Sequence, residues 1–306
     1  MGAAAVNAIV SPWFAKGRPA ALAAAYNGAS VGGVVFLPLW AGAIGCFGFG
    51  WASLAVGAVM VAVVWVLAEC YFVRGPAEMG LAADGALAGT PGADAAAPRE
   101  APARSLRALG GDLRFLTLAG GMALGLFAQI GLLAHLFSLL VPALGTQAAG
   151  LAAGAATGAA IVGRTLLGWW MPERGDRRRF ACASYGVQIA GSMAFLVAGG
   201  ETVGLLLLGV VLFGLGIGNA TSLPPMIAQV EFSRADGARA VPLMVAVAQG
   251  AYAFAPAVFG LIRQGAEEAG AAPGHAPGLF VCAAAVQMAA ILLLLAGMRG
   301  RGGAAA

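Results

Sequence analysis

The 306-residue sequence predicts an all-α polytopic membrane protein with about eight transmembrane helices, and three observations carry that prediction. Composition is 60% hydrophobic and 10% charged, against roughly 25% charged residues in a soluble domain, which excludes a single water-soluble core. Apolar windows of about 20 residues, enough to cross a bilayer as a helix, recur along the chain. Fifteen of the 17 Lys and Arg residues fall in five clusters, at 16–18, 74–114, 174–179, 234–239 and 299–301, with a pair of apolar runs between successive clusters. Basic residues gather in short cytoplasmic loops. Each cluster therefore marks the cytoplasmic side, each pair of runs is one trip across and back, and both termini lie inside. The intervening turns near 43–51, 143–148, 199–202 and 264–277 share a single basic residue, Arg263, as outer loops should.

In chain order the apolar segments fall near 19–42, 52–73, 115–142, 147–171, 180–199, 203–230, 240–262 and 277–298. None shows the ten-residue alternation of a barrel strand, so each is read as a helix that pairs its own backbone groups. Gly28, Gly32 and Gly33 lie in the first, Gly150, Gly154 and Gly158 in the fourth, and Gly214, Gly216 and Gly218 in the sixth. Spacings of four put small residues on one face and let helix backbones approach. Pro224 and Pro225 in the sixth segment, and Pro242 and Pro256 in the seventh, predict local bends or breaks. Between the second and third segments the long polar stretch Arg74 to Arg114, with its Ala-, Gly- and Pro-rich run Gly89 to Pro102, reads as a flexible interdomain linker.

The formal net charge of +4 needs no nucleic-acid partner, because the basic bias of cytoplasmic loops accounts for it. Sixteen Arg against one Lys, with abundant Ala and Gly, suggest a GC-rich, bacterial genome and hence an inner-membrane location. Cys46, Cys70, Cys182 and Cys282 stand singly, without the C-x-x-C spacing of a zinc site. Nor is there a G-x-S-x-G, an H-E-x-x-H or a Walker loop, so no enzyme, metal or cofactor is expected. Gly214-Leu-Gly-Ile-Gly218 lies within an apolar helix and is read as close helix packing rather than a phosphate loop. Met1 to Val10 offers neither a charged leader nor a sufficient apolar stretch for a signal peptide.

Trp13-Phe-Ala-Lys-Gly-Arg18, followed by Asn27-Gly28 and Ser30-Val-Gly-Gly33, resembles the start of the fifth helix of major facilitator superfamily carriers of the monocarboxylate and oxalate/formate type. Arg74-Gly-Pro-Ala-Glu-Met-Gly-Leu81 is similar to the segment leaving their sixth helix. Gly163-Arg164, Gly168 and the run Arg174-Gly-Asp-Arg-Arg-Arg179 resemble their eighth helix and the loop after it, with Gly168, Arg174, Asp176, Arg177 and Arg178 as the loop motif. Pro172 and Glu173 stand where an aspartate and a basic residue are usual. The resemblance implies a partial major facilitator fold comprising helices five to twelve. Residues 1–74 are then the last two helices of an N-terminal bundle, 75–113 a cytoplasmic linker, and 114–306 a C-terminal six-helix bundle. It implies as well that the first four helices, most of one half, are a missing partner, and that this polypeptide alone does not transport.

Arg164 is the sharpest candidate. It lies eight to ten residues from the cytoplasmic end of its helix, roughly 12–15 Å deep. A guanidinium there costs several kcal/mol unless it snorkels, pairs or faces water, and it can hold a carboxylate through two parallel hydrogen bonds. The resemblance implies a carboxylate-binding arginine at this position; the alternative is an arginine snorkelling toward Glu173 or the headgroups. Ala160 stands one turn earlier, where the proton-coupled carriers have an aspartate, so coupling through that pair is closed. His135 is the candidate for proton coupling, or else a helix-to-helix hydrogen bonder. Gln129, Asn219, Gln249 and Tyr252 are candidate substrate contacts, with interhelical bonds of about 0.6 kcal/mol as the alternative for the amides. Segment 240–262 contains no lysine to hold a second carboxylate. Glu69 and Glu231 are read as partners of loop arginines in exposed pairs contributing at most about 1 kcal/mol. The expected function is alternating-access transport of a small organic anion, a monocarboxylate, across a lipid bilayer; the alternatives are a non-transporting scaffold or a carrier of drugs or neutral solutes.

Overall fold

Apolar sequence becomes helix here almost without interruption, because in lipid every backbone N–H and C=O must be paired within its own segment. The computed structural model describes residues 3–10, 12–14, 18–81, 83, 104–170, 176–272 and 274–299. The Gly89 to Pro102 run of the predicted linker and residues Pro172, Glu173 and Arg174 lie outside them. The chain divides into two units, Met1–Arg99 and Glu100–Ala306, and the described residues contain no strand.

In the first unit α1 spans Ala3–Val10, and α2, Arg18–Leu67, is two helices joined at Gly48, where φ is 73° and ψ 163°. A positive φ costs glycine nothing and any other residue a clash at Cβ, so the sequence breaks its apolar run there. The second of these helices continues through a π-helical turn, Ala68–Phe72, and leaves Phe47, Trp51, Leu54, Trp65 and Tyr71 exposed.

In the second unit α3 is a short helix, Leu106–Gly110. It leads into α4, Leu113–Trp170, again two helices, joined at Gly145 with φ 75° and ψ 165°. α5 spans Arg177–Ala198 and ends on Gly199 in the left-handed conformation, φ 61°. α6 runs from Val203 to Glu231. α7, Arg234–Tyr252, and α8, Ala255–Glu268, are separated at Ala253–Phe254, just ahead of Pro256. That proline has no N–H to give the carbonyl of Tyr252, so the ladder parts at this point. α9 covers Pro277–Arg299. The breaks at Gly48, Gly145 and Gly199 fall within three predicted outer turns, and residues 269–272 and 274–276 lie in the fourth.

Not every proline breaks its helix. α6 stays helical through Pro224 and Pro225, and α7 through Pro242, since an apolar helix among neighbours tolerates the freed carbonyl. Six stretches among the described residues are long and apolar enough to cross a membrane. The core of the second unit gathers Leu132, Leu136, Leu140, Phe213, Phe259 and Phe280 from α4, α6, α8 and α9. Phe195 stacks on Phe280 at 5.5 Å and Phe127 meets Phe259 edge-on at 6.0 Å, pairs worth about 0.5–1.5 kcal/mol each. With lipid as apolar as leucine, such contact, rather than expulsion of water, holds the helices together.

Candidate functional site

The second half of α4 lies against α6 at backbone contact, and small residues permit it. A Cβ on Gly214 would stand 2.7 Å from the Ala156 carbonyl oxygen, and one on Gly218 would stand 2.5 Å from that of Ala160. One on Gly163 would overlap the carbonyl of Leu215. This approach carries the next residue, Arg164, into the interface at 6% exposure. Its Nε donates to the Gly218 carbonyl at 3.0 Å, an oxygen that also accepts from the Ser222 and Thr221 hydroxyls at 3.1 and 3.2 Å. That bond orients the guanidinium, a planar group whose geometry suits a carboxylate.

Asn219, 4% exposed, follows Gly218 directly. Its Nδ2 lies 3.4 Å from the Leu215 carbonyl, and its buried Oδ1 has no hydrogen-bond partner. Gln129 is equally buried, with Oε1 unpartnered. The structure thus brings Arg164 and Asn219 together through Gly218. Gln249, exposed, and Tyr252, half-buried, share the end of α7. His135 belongs to a different contact: its Nε2 lies 3.0 Å from the Pro256 carbonyl, just past the α7–α8 break. Gly168 is exposed with open space around it. Arg174 is outside the described residues. Asp176 caps α5 by accepting from the Arg178 N–H at 3.0 Å, and Arg177 Nη1 reaches the Met226 carbonyl at 3.4 Å.

Arg178 departs most from expectation. Its side chain is 0% exposed and that of Glu231 2%, so the pair foreseen as exposed is among the most deeply buried features of the unit. Nε and Nη2 give Glu231 two bonds of 2.7 and 2.8 Å. Nη1 serves Thr117 Oγ1 at 3.0 Å and the Leu294 carbonyl at 3.2 Å, and Nη2 also serves the Arg114 carbonyl at 3.0 Å. All five donors of the fork are spent. Four helices, α4, α5, α6 and α9, are thereby tied at the arginine-rich end of the unit. Gly297 makes room for the head group: a Cβ there would overlap Arg178 Nη1 and Thr117 Oγ1.

The family model described as Major Facilitator Superfamily matches residues 1–260, most of the chain. The chain belongs to the major facilitator superfamily. No curated protein matches it. Membership in this superfamily makes it a multi-pass membrane protein of the transporter class. The matched span of this major facilitator protein includes Arg164, Asn219 and both members of the Arg178–Glu231 pair. Sequence reasoning named Arg178 from its loop motif and missed its burial. The signal that could have found it is a threonine, an acid and a glycine, Thr117, Glu231 and Gly297, each at the same end of a different helix.

Proposed function

We propose that the protein takes part in alternating-access transport of a small organic anion, a monocarboxylate, which it binds with Arg164 as the carboxylate contact and Asn219 as its polar neighbour. One observation carries this reading: an arginine 6% exposed within an apolar helix, oriented by a backbone carbonyl of the facing helix. A fixed, desolvated guanidinium favours an anion and discriminates against neutral solutes. Gln129, Gln249 and Tyr252 are proposed as further contacts, and His135, on the carbonyl beside the α7–α8 break, as the proton-coupling residue. The boundaries 1–74, 75–113 and 114–306 are proposed as bundle remnant, linker and C-terminal bundle, with the arginine-rich ends of the helices and both termini on the cytoplasmic side of the inner membrane.

Ligand-induced stabilisation tests the proposal. Acetate, propionate and larger monocarboxylates should raise the thermal midpoint of the purified protein in detergent, and their neutral amides should not. Arg164→Ala should abolish the shift. Equal shifts with acids and amides would point to a carrier of neutral solutes, and an unchanged response in Arg164→Ala would sink the anion site.

A further inference from the structure

A chain entering a helical bundle from a polar linker need only continue into the first helix. Here it is fastened first. The Arg104 main-chain N–H donates to Asp236 Oδ1 at 2.8 Å, and its side-chain Nε donates to Asp236 Oδ2 at 2.8 Å. Its Nη1 donates to Asp112 at 2.9 Å, and its carbonyl accepts from Arg239 Nη1 at 3.0 Å. The guanidinium lies 5.8 Å over the Phe232 ring, within cation–π range. Ser105 then caps α3 by accepting from the Ala108 N–H at 3.2 Å, and α3 turns Leu109 inward to 1% exposure. Leu106 and Arg107 stay exposed.

These bonds close a ring with the Arg178 cluster. Arg178 Nη2 bonds the Arg114 carbonyl, the Arg114 N–H bonds Asp112 Oδ1 at 2.8 Å, and Asp112 bonds Arg104. Arg104 bonds Asp236, whose N–H bonds Ser233 Oγ at 3.1 Å, and Ser233 lies two residues from Glu231, the partner of Arg178. The Arg178–Glu231 pair in the ring is buried, its side chains 0% and 2% exposed. Arg104 is not, for it is 43% exposed in its side chain.

We infer that residues 104–112 are a strap, a separately openable segment that fastens the predicted linker to the α6–α7 turn and to the start of α4. Its inner contacts are one leucine and a partly exposed arginine, few enough to release while the buried Arg178–Glu231 pair keeps the bundle folded. A pull on the linker is then borne by the α6–α7 turn as well as by α4, and the strap, short α3 included, can yield and reseat without unfolding α4, α5, α6 or α9.

Hydrogen exchange on the intact chain in lipid nanodiscs tests this. Arg104→Ala should speed exchange in 104–112 by about tenfold, while peptides from the middle of α5 and α9 keep the parent rate. Arg104→Lys, which keeps the charge and loses the fork, should fall between them. Asp236→Asn should also raise exchange in 104–112, and Arg107→Ala should not. The inference is overturned if 104–112 already exchanges in the parent as fast as in Arg104→Ala. It is equally overturned if Arg104→Ala speeds α5 and α9 together with the strap, since the segment would then be part of the bundle's single folding unit.

Discussion

Replacing Glu231 by glutamine removes the counter-charge of a guanidinium that is 0% exposed and gives that carboxylate two bonds of 2.7 and 2.8 Å. The amide has nearly the same shape and still offers one acceptor oxygen. Thr117, Leu294 and Arg114 continue to hold other donors of the fork. No cavity opens, and what is lost is charge compensation in a dry site. Removing one member of a buried pair costs about 3–5 kcal/mol. In a unit of about 200 residues each kcal/mol moves the midpoint by about 2–4 °C, so Glu231→Gln should lower Tm by roughly 6–20 °C. Far-UV circular dichroism during heating in detergent reads the shift. The double variant Arg178→Met, Glu231→Leu removes both charges and should recover most of the loss, since apolar replacement of a buried pair is often neutral or better. A single variant within about 2 °C of the parent would refute the reasoning, as would a double variant no more stable than the single.

Three further outcomes are expected. Gly297→Ala puts a methyl group where Arg178 Nη1 and Thr117 Oγ1 sit, and overpacking of this kind costs about 1–3 kcal/mol; the same melting experiment should show a lowered Tm, with a smaller drop in the Arg178→Met background, where only Thr117 still meets the methyl. Gly218→Ala places a Cβ 2.5 Å from the Ala160 carbonyl and 3.2 Å from the Arg164 side chain, so it should weaken monocarboxylate-induced stabilisation by about tenfold or more in ligand concentration, as a displaced charge-assisted contact of about 1.5–3 kcal/mol implies. The strap has a pH signature. Burial works to raise the pKa of Asp112, but hydrogen bonds from the Arg104 side chain and the Arg114 N–H outweigh it and hold the carboxyl below its ordinary value. Bonds to Asp236 and Asp112 hold Arg104 protonated even more firmly than usual. A carboxylate with a lowered folded pKa contributes fully above its unfolded value and loses that contribution as pH falls through the folded one. Intrinsic exchange rates aside, protection of 104–112 should be flat from about pH 5 to 9 and fall only below about pH 4.

Local signals made the helical scaffold legible. Gly48, Gly145 and Gly199 each interrupt an apolar run within a predicted outer turn, because only glycine takes their positive φ without strain. The Pro256 break was readable for an equally local reason, a missing N–H. Pro224 and Pro225 do not break their helix, since the surroundings of α6, which no local rule describes, let it continue. The site was legible in identity and not in environment. Arg164 stands out as a charge in apolar sequence, but its orientation depends on a carbonyl 54 residues away. Arg178 reads as one of three consecutive arginines, Arg177 to Arg179, and nothing local separates the buried one from its neighbours. The space for it comes from Gly297 on the last helix. Arg104 sits in a stretch whose composition says linker; its docking depends on Asp236, 132 residues later.

The most direct measurement is equilibrium binding of a radiolabelled short monocarboxylate to the purified protein and to its Arg164→Ala and Arg164→Lys variants. A desolvated bidentate contact predicts saturable binding by the parent, a loss of at least about tenfold in affinity with alanine, and partial retention with lysine, which keeps the charge without the fork. Competition by other carboxylates and none by amides should accompany it. Equal affinity in the parent and Arg164→Ala would contradict the anion site at Arg164.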